Sequence, residues 1–172
     1  PNKFPTLDGD HPRMVIPFRD SNGDIFAYQG RAFGKEKPKY ITIILDESVP
    51  KIFGLDRVDP SRDIFVVEGP IDSLFIQNCI AVAQSDLRVP QYKDKAILVP
   101  DNEPRNKQII QQLERAIDDN YRVVIWPDYV RQKDINDMIL SGLDAVEIMD
   151  IISNNTFQGL SAKVELQKWK RT

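Results

Sequence analysis

The pattern of apolar and polar positions changes character near residue 60. Before it, short β-branched and aromatic runs dominate. Arg13–Phe18 reads as a strand, and Ile25–Gln29 returns as the second strand of a hairpin. Between them lies Asp20-Ser21-Asn22-Gly23-Asp24, a strong turn signal because Asn-Gly tolerates positive φ. Tyr40–Leu45 is a further β run. After residue 60 the chain alternates. Asp63–Val67, Cys79–Ala83, Ala96–Val99 and Val123–Trp126 read as short buried strands. Pro70–Asn78 reads as a helix with proline in its first turn. Pro104–Asp119 reads as a helix with Ile109, Ile110, Leu113, Ala116 and Ile117 on one face. Ile135–Leu140 and Leu143–Ile152 look helical, with Gly142 as the break, and Leu160–Trp169 forms a helical tail. Strands alternating with helices imply a parallel sheet with right-handed crossovers, so the chain is expected to be α/β with a smaller β-rich part in front. The boundary falls near Val58–Arg62, where a proline interrupts the pattern. No repeat or low-complexity segment is present.

Composition narrows this only a little. The 172 residues are 41% hydrophobic and 28% charged, which fits a globular domain rather than a disordered one. No apolar stretch approaches the roughly 20 residues that span a bilayer, and no secretory signal is visible, so no membrane partner and a cytoplasmic location are expected. The chain begins at Pro1 without methionine and reads as a piece of a longer protein. One cysteine, Cys79, and one histidine, His11, exclude an internal disulfide and a Cys/His zinc site. Cys79 reads as core filler and His11 as a surface residue. Net charge is −3, but it is unevenly spread. Residues 12–45 and 161–172 each carry +3, whereas 46–160 carry −8. Two basic flanks bracket an acidic middle, a pattern that solvated surface scatter also explains.

The acidic middle holds the candidate chemistry. In open parallel sheets, ligands gather at the carboxyl ends of the strands. There Val67 runs into Glu68-Gly69, with Asp72 one turn on; Val99 runs into Asp101 and Glu103; and Trp126 runs into a loop that closes on Lys133-Asp134-Ile135-Asn136-Asp137. Carboxylates crowded on one rim do not all stay ionised without a compensating cation. Oxygen-only donors favour Mg²⁺ or Mn²⁺, whose natural task is phosphoryl transfer. A plainer reading stays open for two of the sites: Asp101 and Glu103, or Asp134, could simply cap the helices that follow them. Glu68 resists that reading because it directly ends a buried strand.

The segment Val67-Glu68-Gly69-Pro70-Ile71-Asp72 resembles the E-G-x-x-D motif of Toprim domains. Asp101-Asn102-Glu103 resembles their D-x-D motif, and Lys133-Asp134-Ile135-Asn136-Asp137 the K-D-x-x-D segment found in DnaG-type primases. Upstream, RMVIPFRDSNGDIFAYQGRAF (13–33), Lys39-Tyr40 and Pro50–Leu55 are similar to the basic subdomain that precedes Toprim in those primases. The resemblance covers about residues 12–142. The tail from Phe157 to Lys170, with EGPIDSLFIQN and DNEPRNK, looks most like the primase subunits of T-even-type bacteriophages.

This resemblance implies a Toprim domain over 62–143, a basic β-rich subdomain over 1–61 and a helical tail over 144–172. It implies a DNA-dependent RNA polymerase that makes short RNA primers. Its partners would be single-stranded DNA template, ribonucleoside triphosphates and a hexameric replicative helicase, in the host cytoplasm if the source is viral. Glu68 would act as acid/base or metal ligand. Asp101 and Glu103 would bind the metals, with Asp72 and Asp134 supporting. Glu103 departs from the family's aspartate by one methylene. Arg13, Arg19, Arg31, Lys35, Lys37, Lys39 and Lys107 would contact nucleic acid or nucleotide. Tyr28 and Tyr40 either pack in the hairpin core, the preferred reading, or stack on bases. One cysteine does not make the family's zinc ribbon and no Walker A pattern occurs, so the chain reads as the polymerase core alone. The rivals are a Toprim nuclease using water as nucleophile, and a non-catalytic module that binds DNA or a helicase.

Overall fold

The computed structural model describes residues 12–35, 37–83 and 86–171. His11 and the ten residues before it lie outside the described residues. The chain divides into two compact units, 1–56 and 57–172. The break comes a few residues ahead of the proline-bearing stretch that marks it in the sequence.

The first unit is a three-stranded antiparallel sheet in the order β1 (Arg13–Arg19), β2 (Ile25–Ala32), β3 (Tyr40–Ile44). Its β1–β2 turn forms as the sequence signals. The Asp20 carboxylate accepts N–H bonds from Asn22 at 2.8 Å and Asp24 at 3.0 Å, and Gly23 takes φ +90°. A register shift at Phe18/Arg19 absorbs the extra residue. Ile16, Phe18, Phe26, Ala27, Ala32 and Ile52 are buried, and the Phe18 ring meets Phe26 and Phe53 edge-on at 6.1 and 5.4 Å.

The second unit is a five-stranded sheet in the order β5-β4-β6-β7-β8. β4 (Ile64–Val67), β5 (Cys79–Ala81), β6 (Ala96–Leu98) and β7 (Arg122–Val124) run parallel, and β8 (Thr156–Phe157) is antiparallel to β7. The inner strands are nearly all apolar because both their faces are covered. Four helices follow the pattern: α1 (Lys107–Asp118), α2 (Ile135–Leu140), α3 (Ala145–Asn154) and α4 (Gly159–Trp169). α1 buries Ile109, Leu113, Ala116 and Ile117. α4 packs on α1 with Ala162, Leu166 and Trp169 buried. Cys79 is buried, and burial pushes its thiol up. Among the described residues no helix is long and apolar enough to cross a membrane.

Three local expectations change. Pro70–Asn78 is not a helix; only the 3₁₀ turn Asp72–Leu74 forms. The chain must return quickly to start β5, and Asn78 fixes that return. At φ +48° its side-chain amide donates to the carbonyls of Asp59 (3.0 Å) and Asp63 (2.7 Å). α1 starts at Lys107, three residues after Pro104, because Asn106 caps it by accepting the Gln108 N–H at 3.0 Å. The two-residue β8 has no counterpart in the sequence pattern.

Candidate active site at the carboxyl rim of the sheet

β4 is followed in space by β5 on one side and β6 on the other, so the strand order switches between β4 and β6. That is where open α/β sheets form a crevice. Val66 pairs with Leu98 there, and the chain leaves β4 into Glu68 and β6 into Asp101. The two strand-end acids are therefore neighbours by register.

Glu68 is half-buried. Beneath it Leu98, Ile109, Leu113 and Ala116 help line a cavity of about 10 Å³, room for at most one water. Its carboxyl is pushed up to about 8, first by burial and then by the nearby Asp101 charge. Lys133 and the Asp101 backbone N–H oppose the shift. Asp101 is also raised, by burial, with Lys133 again opposing. Glu103, more open, is lowered by its hydrogen bond from Lys133.

Gly69 has a steric task. A Cβ at this position would strike Asp72 Oδ2. With only hydrogen there, Asp72 folds back and its Oδ1 accepts the Asn136 N–H at 2.9 Å. This bond ties the E-G-x-x-D segment to the first turn of α2. Burial, ahead of the charges of Asp134 and Asp101, lifts Asp72 to about 6.

The two capping readings separate. Asp134 does cap α2, accepting the Asp137 N–H at 2.7 Å. Asp101 and Glu103 do not cap α1, whose cap is Asn106. The five sequence-nominated carboxylates thus meet around Asp101: Glu68 feels the charges of Asp101 and Glu103, and Asp72 those of Asp134 and Asp101.

The cation that compensates them here is a side chain. Lys133 Nζ lies 2.8 Å from Glu103 Oε1 and 3.3 Å from Asp101 Oδ2. Its ammonium is held well above the ordinary lysine range, chiefly by the Glu103 bond. Lys133 stands in the K-D-x-x-D segment, which was the signal for it, yet the residue reading did not assign it to the site.

Asn102 and Trp169 were missed too. Asn102, between the two acids, anchors the loop that carries Lys133. Its amide donates to the Val130 and Gln132 carbonyls at 2.9 and 3.1 Å, and its N–H to the Lys133 carbonyl at 2.6 Å. Trp169 Nε1 donates to Asn102 Oδ1 at 3.0 Å, so the tail helix braces the acidic turn. Trp126 Nε1 donates to the Pro100 carbonyl at 2.7 Å just ahead of it.

The donor chemistry fits a hard divalent cation, being all oxygen and strongly anionic. Among the described residues, however, no three such side chains are gathered closely enough to hold a metal as they stand.

The basic candidates are mostly in the first unit. Arg13 donates to the Pro38 carbonyl at 2.9 Å and Arg19 to the Gly23 carbonyl at 2.7 Å. Lys35, Lys37 and Lys39 are exposed. Tyr40 does not pack in the hairpin core. It is 40% exposed, with the Arg31 guanidinium 5.8 Å and the Lys39 ammonium 5.6 Å from its ring centroid. Tyr28 is half-buried, and Lys107 is exposed at the start of α1.

The mixed parallel sheet that carries the E-G-x-x-D, D-x-E and K-D-x-x-D segments has a Toprim-like fold, and comparison with solved structures agrees on that fold. A DNA primase domain from Pseudomonas aeruginosa superposes with a TM-score of 0.67 at 21% identity, covering 91% of this chain and 55% of that one. A DnaG primase catalytic domain bound to single-stranded DNA gives 0.64 at 18%, covering 86% and 53%. The primase fragment of the bacteriophage T7 primase-helicase protein gives 0.60 at 23%, covering 80% and 62%. No protein-family model matches the chain. In sequence, the chain is a homologue of DNA primases: it is 44% identical to the DNA primase of Enterobacteria phage T4 over 165 residues. That match takes in 93% of this chain and 48% of the relative, so the chain spans about half the relative's length.

Proposed function

We propose that this chain is the catalytic core of a DNA primase, a DNA-dependent RNA polymerase that makes short RNA primers on single-stranded DNA. The observation that carries the reading is the convergence of Glu68, Asp72, Asp101, Glu103 and Asp134 on one rim, in a chain homologous to a phage primase over nearly its whole length. Asp101 and Glu103 would hold Mg²⁺ or Mn²⁺ with Glu68, and Asp72 and Asp134 would support them from the start of α2. Such an ion, when bound, offsets charge on the attacking and leaving oxygens of a phosphoryl transfer.

The side chains supply the rest. If Glu68 is instead the general acid/base, it would take the proton of the primer 3′-hydroxyl only once a cation at Asp101 and Glu103 has lowered its carboxyl, which burial keeps largely protonated near neutral pH without one. Asn102 and Trp169 hold the turn so that both acidic side chains stay aimed at the crevice. Arg13, Arg19, Arg31, Lys35, Lys37, Lys39 and Lys107 would bind template and nucleotide phosphates, a contact that weakens steeply with salt. Tyr40, exposed between two cations, is available to stack on a base. Single-stranded DNA and a replicative helicase as partners are supported by the DNA-bound DnaG domain and by the primase-helicase of phage T7. Such a protein would work in the cytoplasm of the host.

The test is incorporation of labelled ribonucleotides on a defined single-stranded template with Mg²⁺ or Mn²⁺. Template-dependent RNA products that vanish in Asp101→Asn support the reading. Shortened template strands instead of new ones would make it a Toprim nuclease. Parent and variant alike in every assay would make it a binding module.

A further inference from the structure

Lys133 reaches both Glu103 and Asp101, and its side chain is nonetheless 53% exposed. The backbone beneath it is fixed independently of that contact. Asn102 binds the loop at Val130, Gln132 and Lys133, and Asp134 caps α2 directly after it. The ammonium is thus the mobile part of an anchored loop: it can swing into solvent by rotamer change alone. It also uses one oxygen of each carboxylate that a divalent ion at the D-x-E turn would need. Two cations contending for the same oxygens at such distances repel strongly in a half-buried site.

We infer that Lys133 is a built-in counter-ion that competes with the divalent cation for Asp101 and Glu103 and is displaced when that ion enters. This rests on the functional reading above and adds to it a residue that sets how tightly the ion is held. In the ion-free protein Lys133 keeps the two acids from repelling each other. When the ion arrives, part of its binding energy goes into breaking two ammonium contacts.

The experiment measures Mn²⁺ affinity by calorimetry for the parent, Lys133→Gln, Lys133→Arg and Arg131→Gln. Arg131 lies in the same loop, is exposed, and makes no ion pair among the described contacts. Loss of a competitor worth an ordinary exposed ion pair should tighten Mn²⁺ binding about fivefold in Lys133→Gln. Lys133→Arg should stay near the parent, and so should Arg131→Gln, which loses the same charge without the contact. In parallel, the Lys133 side-chain Cε–Hε signal should shift along the Mg²⁺ titration in step with the Asp101 amide. Equal Mn²⁺ affinity in parent and Lys133→Gln, with a static Lys133 signal, overturns this inference and leaves the primase reading standing. Equal tightening in Lys133→Gln and Arg131→Gln also overturns it, since bulk charge alone would then explain the effect. No Mn²⁺ binding by any of the four proteins overturns both.

Discussion

Strand β4 is flanked by an acid at each end, Asp63 before it and Glu68 after it, and the two are treated in opposite ways. At the amino end, Asp63 is gripped by Arg122 through two bonds of 2.8 Å, and the guanidinium holds its carboxyl below the usual range. At the carboxyl end, Glu68 has no guanidinium partner among the described residues; burial and Asp101 push it up to about 8. The sheet could have paired both. An acid that only closes off a strand is neutralised by a fork with matching geometry. Among the described residues the acids at the switch point pair with one lysine, which is how a site looks when its charge is kept for something that arrives later.

That contrast can be broken by mutation. The largest effect belongs to the rim: Asp101→Asn should fold as the parent does by circular dichroism yet lose at least about a hundredfold in ribonucleotide incorporation. Next comes Glu68→Gln without divalent ions. A carboxyl whose folded-state pKa is raised gives stability that is full below its unfolded value, near 4.5, and is lost as pH rises through about 8. The variant, which cannot ionise, should match the parent near pH 4.5. By pH 9 it should exceed the parent by about 2 kcal/mol, roughly 5 °C in melting temperature. Trp169→Phe keeps an aromatic ring but removes both the bond to Asn102 and part of the buried indole, and should cost about 2 kcal/mol in urea unfolding. It should also lower incorporation several-fold. Smallest is Arg122→Gln, which should cost about 0.5 kcal/mol, less in high salt, and leave incorporation unchanged. If Arg122→Gln impaired incorporation as much as Asp101→Asn, the difference between the two ends would be false.

What could be read from the sequence follows from how local each cause is. The inner strands were legible because both faces are covered, so Ile64–Val67 and Ala96–Leu98 are continuous apolar runs. Glu68 and Asp101 were legible because they stand at the ends of such runs, and Asp72, Glu103 and Asp134 because they lie in motifs close behind a strand end. The helix over Pro70–Asn78 was misread because its apolar spacing permits one; what forbids it is Asn78 binding carbonyls fifteen and nineteen residues away. β8 is too short to carry a period. Asp134 turned out to cap a helix while also standing on the rim, so the two readings of it were never exclusive. Asn102, Lys133 and Trp169 escaped for a shared reason: their roles lie in contacts across 28 to 67 positions, from Asn102 to Val130 and from Asn102 to Trp169. Tyr40 was misplaced because a β-run aromatic on a sheet's last strand has no pattern to say that its ring stays open to solvent.

The central claim is that the rim exists to hold a hard cation. Crystals soaked in Mn²⁺ and measured at the manganese edge address it most directly. The account predicts an anomalous peak in contact with Asp101 and Glu103, with the Lys133 ammonium turned away from both. A map with no peak at the rim, and Lys133 still bridging the two carboxylates at saturating Mn²⁺, would contradict it.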